Sequence, residues 1–271
     1  MMDRNTLTAL LLITLVLILT PYYMEMVSPP APILEDSTDG EFRQNSQPVE
    51  YREYESAANT EKELIKPSKA AEETTVKIEN DLYIATISSL CGGSIKSFEI
   101  KEHLKYDSSF VNLVAPENIK NLLVGFKDFN GNQIQLDKGW VLQSNADSYY
   151  IDAARSITYT NAINDKVITK VLTFYPDRFL IDIDVDITAL ANNTLANSYT
   201  LTWLGGVPPT EKDSVTESTY FYSYLYQGGE LLDVKVSQGE TFSNDYKGQT
   251  DWVATRSKYF VACLLNDSGD Q

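Results

Sequence analysis

The chain has 271 residues and a formal net charge of −16, from 22 basic and 38 acidic side chains. That balance argues against nucleic acid as a partner, which needs a basic footprint, and against adsorption to an anionic lipid surface. With one histidine and two cysteines there is no Cys/His cluster to make a zinc site, and no cofactor or metal is expected.

In chain order, the first 24 residues come first. After Asp3 and Arg4 no charge occurs from Asn5 to Met24, a run of 20 residues. It carries Leu10, Leu11, Leu12, Ile13, Leu15, Val16, Leu17, Ile18 and Leu19. At about 1.5 Å per residue the run covers roughly 30 Å as a helix, the hydrocarbon thickness of a bilayer. A cleaved signal peptide is the alternative, but Pro21, Tyr22 and Tyr23 follow where a small-x-small site would stand. An uncleaved transmembrane anchor at 1–24 is the favoured reading. Arg4 before the run and Glu25, Glu35 and Asp36 after it give a cytoplasmic N-terminus and an exported remainder.

Residues 25–75 read as a disordered linker. They hold Pro29, Pro30, Pro32, Pro48 and Pro67, and twelve acidic residues against five basic ones. So little apolar surface cannot offset the entropy of ordering.

From Val76 the pattern becomes short alternating runs of Val, Ile, Thr, Tyr and Phe. Leu82–Ile87 reaches a turn at Cys91-Gly92-Gly93, and Ile95–Ile100 resumes. Leu122–Phe129 and Gln133–Leu136 flank Asn130-Gly131, a hairpin signal whose favoured turn needs two positive φ angles. Tyr149–Ile151 and Ile157–Tyr159 follow. Val167–Tyr175, a turn at Pro176-Asp177 and Phe179–Ile187 make a long hairpin. Tyr199–Leu204, Tyr220–Tyr226, Leu231–Val236 and Trp252–Leu265 complete the series. No helical period is sustained, so residues 76–271 are expected to form an all-β antiparallel sandwich, with Trp252 and Phe260 in its core.

Catalytic candidates are few, and the chain is not expected to be an enzyme. His103, between Glu102 and Lys105, reads as a surface residue. Asp182, Asp184 and Asp186 alternate with Ile181, Ile183, Val185 and Ile187, which places the carboxylates on one solvated strand face. Gly92-Gly93 and Gly205-Gly206 lack the spacing of a phosphate loop and read as turns. Cys91 and Cys263 could pair, but two buried free thiols are favoured. Tyr220, Tyr222, Tyr224 and Tyr226 share one face of a strand. They are the candidate partner or ligand surface, with packing inside the sandwich as the other reading.

The residues resemble a family. Met2-Asp3-Arg4-Asn5-Thr6 before an apolar span resembles the start of the YidC insertases. Thr86–Phe98, with its Cys91-Gly92-Gly93, resembles the early strand–Gly-Gly–strand signature of their periplasmic domain. Thr169–Pro176 with Phe179–Val185 resembles its central hairpin, and Asp251-Trp252-Val253-Ala254 with Lys258-Tyr259-Phe260 a late strand. The resemblance implies a β-supersandwich like that of sugar mutarotases, in a protein of the bacterial inner membrane with a periplasmic bulk domain. It implies the Sec translocon, SecD/SecF and nascent membrane proteins as partners. The further spans that form the family's insertase groove have no counterpart among these residues, so an accessory interaction module is expected. A membrane-anchored carbohydrate-binding or envelope-complex β-sandwich is the alternative.

Overall fold

The computed structural model describes residues 71–266, except 116, 118, 119, 238 and 239. The anchor expected at 1–24 and nearly all of the linker expected at 25–75 lie outside the described residues.

Among the described residues sixteen strands are arranged in four sheets. The first contains β1 (Thr75–Glu79), β2 (Tyr83–Ser88), β3 (Ser94–Leu104), β4 (Phe110–Asn112) and β8 (Ser148–Tyr150), in the order β4-β3-β2-β1-β8. The second is β11-β10-β9-β7, from β7 (Trp140–Leu142), β9 (Arg155–Ile163), β10 (Lys166–Phe174) and β11 (Ile181–Asp186). The third sets β5 (Leu123–Lys127) between β12 (Thr200–Thr202) and β6 (Gln133–Gln135). The fourth is β14-β13-β15-β16, from β13 (Tyr222–Gln227), β14 (Glu230–Val234), β15 (Thr250–Arg256) and β16 (Val261–Leu265).

Alternation builds the core. On β2, Tyr83, Ala85 and Ile87 point inward, and on β9 Ile157, Tyr159 and Ile163 do the same. With Ile168, Leu172 and Phe174 of β10 and Val124 and Phe126 of β5 they join one apolar cluster, so three sheets share a core. Tyr83 stacks on Phe98 at 4.3 Å between ring centroids. The β1–β2 turn is fixed by buried Asn80, whose Oδ1 accepts from the amides of Leu82 and Tyr83 at 2.9 and 2.8 Å. Its Nδ2 donates to the Tyr175 carbonyl at 2.8 Å and so ties the first sheet to the β10–β11 turn.

The all-β sandwich expected from the pattern is the fold observed, with the only α-helix among the described residues a single turn, α1 (Ser214–Ser218). Four details differ from the sequence reading. Trp252–Leu265 is two strands rather than one: Ser257 closes the turn, its amide donating to the Phe260 carbonyl at 2.9 Å. That turn carries no Gly or Pro, so nothing punctuates it in sequence. Pairing is not wholly antiparallel, because β1 runs parallel to β8. The Asn130-Gly131 turn has positive φ only at Gly131 (82°); the Asp128 carboxylate shapes it instead by accepting from the amides of Asn130 and Asn132. Two-residue turns with both φ positive do occur, at Asn164-Asp165 between β9 and β10 and at Gly228-Gly229 between β13 and β14. Trp252 is half-buried on the fourth sheet and is not a core residue; Trp140 is the fully buried tryptophan.

Candidate functional site

The fourth sheet has one face turned toward the molecule. Leu225 of β13 is buried there, and Leu264 of β16 packs against the main core. Because strand side chains alternate, Tyr222, Tyr224 and Tyr226 take the opposite face. Antiparallel register with β15 sets Arg256, Ala254 and Trp252 across from them in that order. Register with β16 continues the face to Val261, Cys263 and Leu265, and with β14 to Asp233 and Leu231.

The aromatic groups pack on one another along this face. Tyr222 and Tyr224 stack at 6.0 Å, and Tyr226 lies nearly parallel to the Trp252 indole at 5.6 Å and 7°. Cations gather at the Tyr222 end. The Arg256 guanidinium sits 5.3 Å from the Tyr222 ring and 5.8 Å from that of Tyr224, and the Lys235 ammonium 5.0 Å from Tyr222. Such cation–π contacts hold the charges against ring faces and leave them available to an approaching anion. Neither Lys235 nor Arg256 makes a salt bridge among the described residues.

Tyr220 departs from the expected row. It precedes β13, in the turn after α1, and is 42% exposed. A separate device fixes it. Buried Glu217 of α1 accepts from the amides of Thr210 and Glu211, both at 2.7 Å, and from the Thr210 hydroxyl at 3.1 Å. Asp213 caps the helix by accepting from the Thr216 amide at 3.1 Å. The folded loop then presents Glu211 to the β15–β16 turn, where it accepts from the Lys258 ammonium at 3.0 Å and from the Tyr259 hydroxyl. These two donors hold the Glu211 carboxyl below the usual carboxylate range. The hydrogen bond with Tyr259 and the pairing with Glu211 raise Lys258 above the usual lysine value. Lys258 also lies 5.6 Å over the Tyr220 ring.

The face is therefore an aromatic row, half-buried by its own stacking and rimmed by cations. It offers flat rings and guanidinium geometry to a partner. It holds no nucleophile paired with a base, and among the described residues no group of His, Cys, Asp and Glu could hold a metal ion. The sequence reading places Trp252 in the core rather than on this face, and gives Arg256 and Lys235 no role. Period-two spacing hints at Trp252, Ala254 and Arg256, but only the β13–β15 pairing brings them beside the tyrosines.

The other candidates lie elsewhere. His103 is exposed near the end of β3, edge-on to Phe260 at 5.7 Å. Asp184 and Asp186 are exposed on β11, and Asp182 accepts from the Tyr175 hydroxyl. Both cysteines are free. Cys91 is buried, as expected, but Cys263 is exposed, because its position on β16 places it on the open face. Among the described residues no helix is long and apolar enough to cross a membrane. Leu10 to Leu19 lie outside them.

Comparison with known proteins gives the chain its relatives. The curated protein named Membrane protein insertase YidC of Chlorobium luteolum is 29% identical over 279 residues, covering 97% of this chain and 46% of its own length. The protein of that name from Chlorobaculum tepidum is 30% identical over 210 residues, 71% of this chain and 33% of its own. The one from Prosthecochloris aestuarii is 28% identical over 274 residues, with 98% and 46% covered. The chain thus spans less than half the length of these relatives. Residues 75–271, which begin with β1 and include all four sheets, match the family described as the YidC periplasmic domain. The chain belongs to the YidC family and carries its periplasmic domain.

Proposed function

We propose that this chain is the anchored, periplasmic portion of a YidC-type membrane protein insertase. In this reading residues 1–24 anchor it in the inner membrane with the N-terminus cytoplasmic, 25–75 act as a flexible acidic spacer, and 76–271 serve as an interaction module. The match of residues 75–271 to the YidC periplasmic domain carries the reading. The module assists insertion by holding partners near the membrane and does no bond-making chemistry itself. Its partners are the Sec translocon, SecD/SecF and nascent membrane proteins, and its contact surface is the row of Tyr222, Tyr224, Tyr226 and Trp252, with Tyr220 at its rim.

A photo-activatable cross-linker at Tyr224, in the full chain in native membranes, tests the surface. Adducts with Sec components are expected from Tyr224 and not from Thr173, which lies on the second sheet. Adducts from Thr173 alone would overturn the assignment. The stacked Tyr226–Trp252 pair, with cations beside the row, favours a second reading, a glycan-binding face. Millimolar sugars that leave the tryptophan fluorescence and the NMR spectrum unchanged would eliminate it.

A further inference from the structure

Lys170 is at the middle of β10, flanked on its face by Ile168 and Leu172, and is fully buried. No carboxylate accepts from it among the described residues. Its Nζ donates to two backbone carbonyls, those of Leu122 at 2.5 Å and Cys91 at 3.2 Å. The acceptors lie in turns that lead into two other sheets. Cys91 is in the 3-10 turn Leu90–Gly92 between β2 and β3, and Leu122 immediately precedes β5. One side chain thus joins the first, second and third sheets.

Both acceptor residues are non-glycine residues in the left-handed region, Cys91 at φ 54° and Leu122 at φ 55°. Such backbone persists only where its surroundings hold it. The junction is closed on all sides. The Cys91 amide donates to the Asp137 carbonyl at 3.1 Å, and Asn121 bonds Ile95 through both its Oδ1 and its Nδ2. A Cβ on Gly92 would stand 2.7 Å from the Trp140 indole.

We propose that Lys170 is a proton-sensitive tie between the three sheets, neutral when the junction is closed and charged when it opens. An amine without its extra proton keeps two N–H groups, enough for the two carbonyls. An ammonium would bring a charge and a third donor into a site with no anion to receive it.

The groups facing Lys170 keep that contrast sharp. On the turn, burial pushes the Cys91 thiol up to about 11, so it supplies no thiolate. On β9, Tyr159 stands directly across from Lys170, and burial raises its hydroxyl well above the ordinary tyrosine value, so it supplies no phenolate. β5 contributes no titratable group on this side. Beyond Cys91, Lys120 and Asp137 neutralise each other at 3.1 Å. Burial accordingly pulls Lys170 down from 10.5 to about 7. The sign is fixed by linkage: a depressed lysine gives stability that is complete above the opened-state value and is lost as pH falls toward the closed-state value. Between pH 9 and pH 7 the opening constant should rise about fifty-fold, then level off at lower pH.

Hydrogen exchange of the full chain in detergent micelles, corrected for the intrinsic pH dependence of exchange, reads that constant. Peptides over 89–95 and 120–124 should lose protection about fifty-fold from pH 9 to pH 7, while a peptide over 222–234 should not. Lys170→Met should remove the pH dependence, and Lys170→Arg should leave the junction open at every pH. An unchanged pH slope in Lys170→Met overturns the proposal. Should that variant not fold, the wild-type profile decides: a flat response at 89–95, or an equal one at 222–234, overturns it as well.

Discussion

Glycines and buried hydroxyls show how narrow the tolerance is at single positions. Gly93 has φ 105°, and a Cβ there would stand 2.8 Å from Leu172 and 3.0 Å from Tyr159, both in the core. Gly131 has φ 82° with nothing within 4 Å. Gly93→Ala should therefore cost about 2–4 kcal/mol, from backbone and overpacking together, and Gly131→Ala about 1 kcal/mol from backbone alone. Urea denaturation of the two variants separates these terms; equal costs would show that the Gly93 contact relaxes freely. The hydroxyl of Tyr159 is buried and has no hydrogen-bond partner among the described residues, and the same holds for that of Tyr83. Tyr159→Phe should raise stability by about 1–3 kcal/mol, since it removes an unsatisfied polar group and leaves the ring in place. A loss in the melting experiment would mean that a bound water satisfies the hydroxyl.

At the scale of elements, the sheets divide into those that build the core and one that presents a face. Trp140 begins β7 at 1% exposure and donates from Nε1 to the Leu136 carbonyl at 2.7 Å. Trp252, on β15, is half-buried and stacks only on the outward side of its sheet. Trp140→Ala should cost about 3–5 kcal/mol, whereas Trp252→Ala should cost about 1–2 kcal/mol. Chemical denaturation curves check the order, and a larger loss for Trp252 would mean that its face is covered. On β11, the outward carboxylate of Asp184 is exposed opposite Val171. Asp184→Asn should shift stability by less than about 0.5 kcal/mol in calorimetry, with or without added calcium.

For the whole molecule, titration on both sides of neutrality gives an asymmetric stability profile. Hydrogen bonds from Lys96 and Ser88 hold Glu73 below its usual range, those from Lys77 and Lys101 do so for Glu79, and the Asn132 side chain does so for Asp128. A carboxyl depressed by folding contributes stability above its unfolded value and loses it as pH falls through the folded value. Glu73 is exposed and Glu79 half-buried, so their share of the acid loss is gradual, whereas Asp128 is buried. Lys170 adds a rise between about 7 and 10.5. Burial raises Tyr83 to about 12 and Tyr159 further, which removes stability only as pH climbs past the ordinary tyrosine value of 10.0. The urea midpoint should therefore peak near pH 9 rather than at neutrality. A peak near pH 6 would mean that Lys170 is charged in the folded chain.

What the sequence by itself determined is what local pattern encodes. Alternation at Tyr83–Ser88, Arg155–Ile163 and Lys166–Phe174 specifies strands, since side chains on a pleated backbone must part to two faces. The shared face of Asp182, Asp184 and Asp186 follows from the same logic, and the turn at Gly92-Gly93 from glycine's tolerance of positive φ. Tertiary structure decided everything that depends on distant pairing. The parallel β1–β8 pair joins segments about 70 residues apart in a register that no local signal carries. The tyrosine row could be read as core or as surface, because a strand apolar on both faces suits either. Only the packing of Leu225 and Leu264 on the molecule turns the opposite face outward, and only the pairing of β13 with β15 sets Arg256 and Trp252 beside the tyrosines. Lys170 is the sharpest case: its place between Ile168 and Leu172 in an alternating strand marks it as inward-facing. Its partners are carbonyls of two turns 48 and 79 residues away, which exist only once three sheets have met.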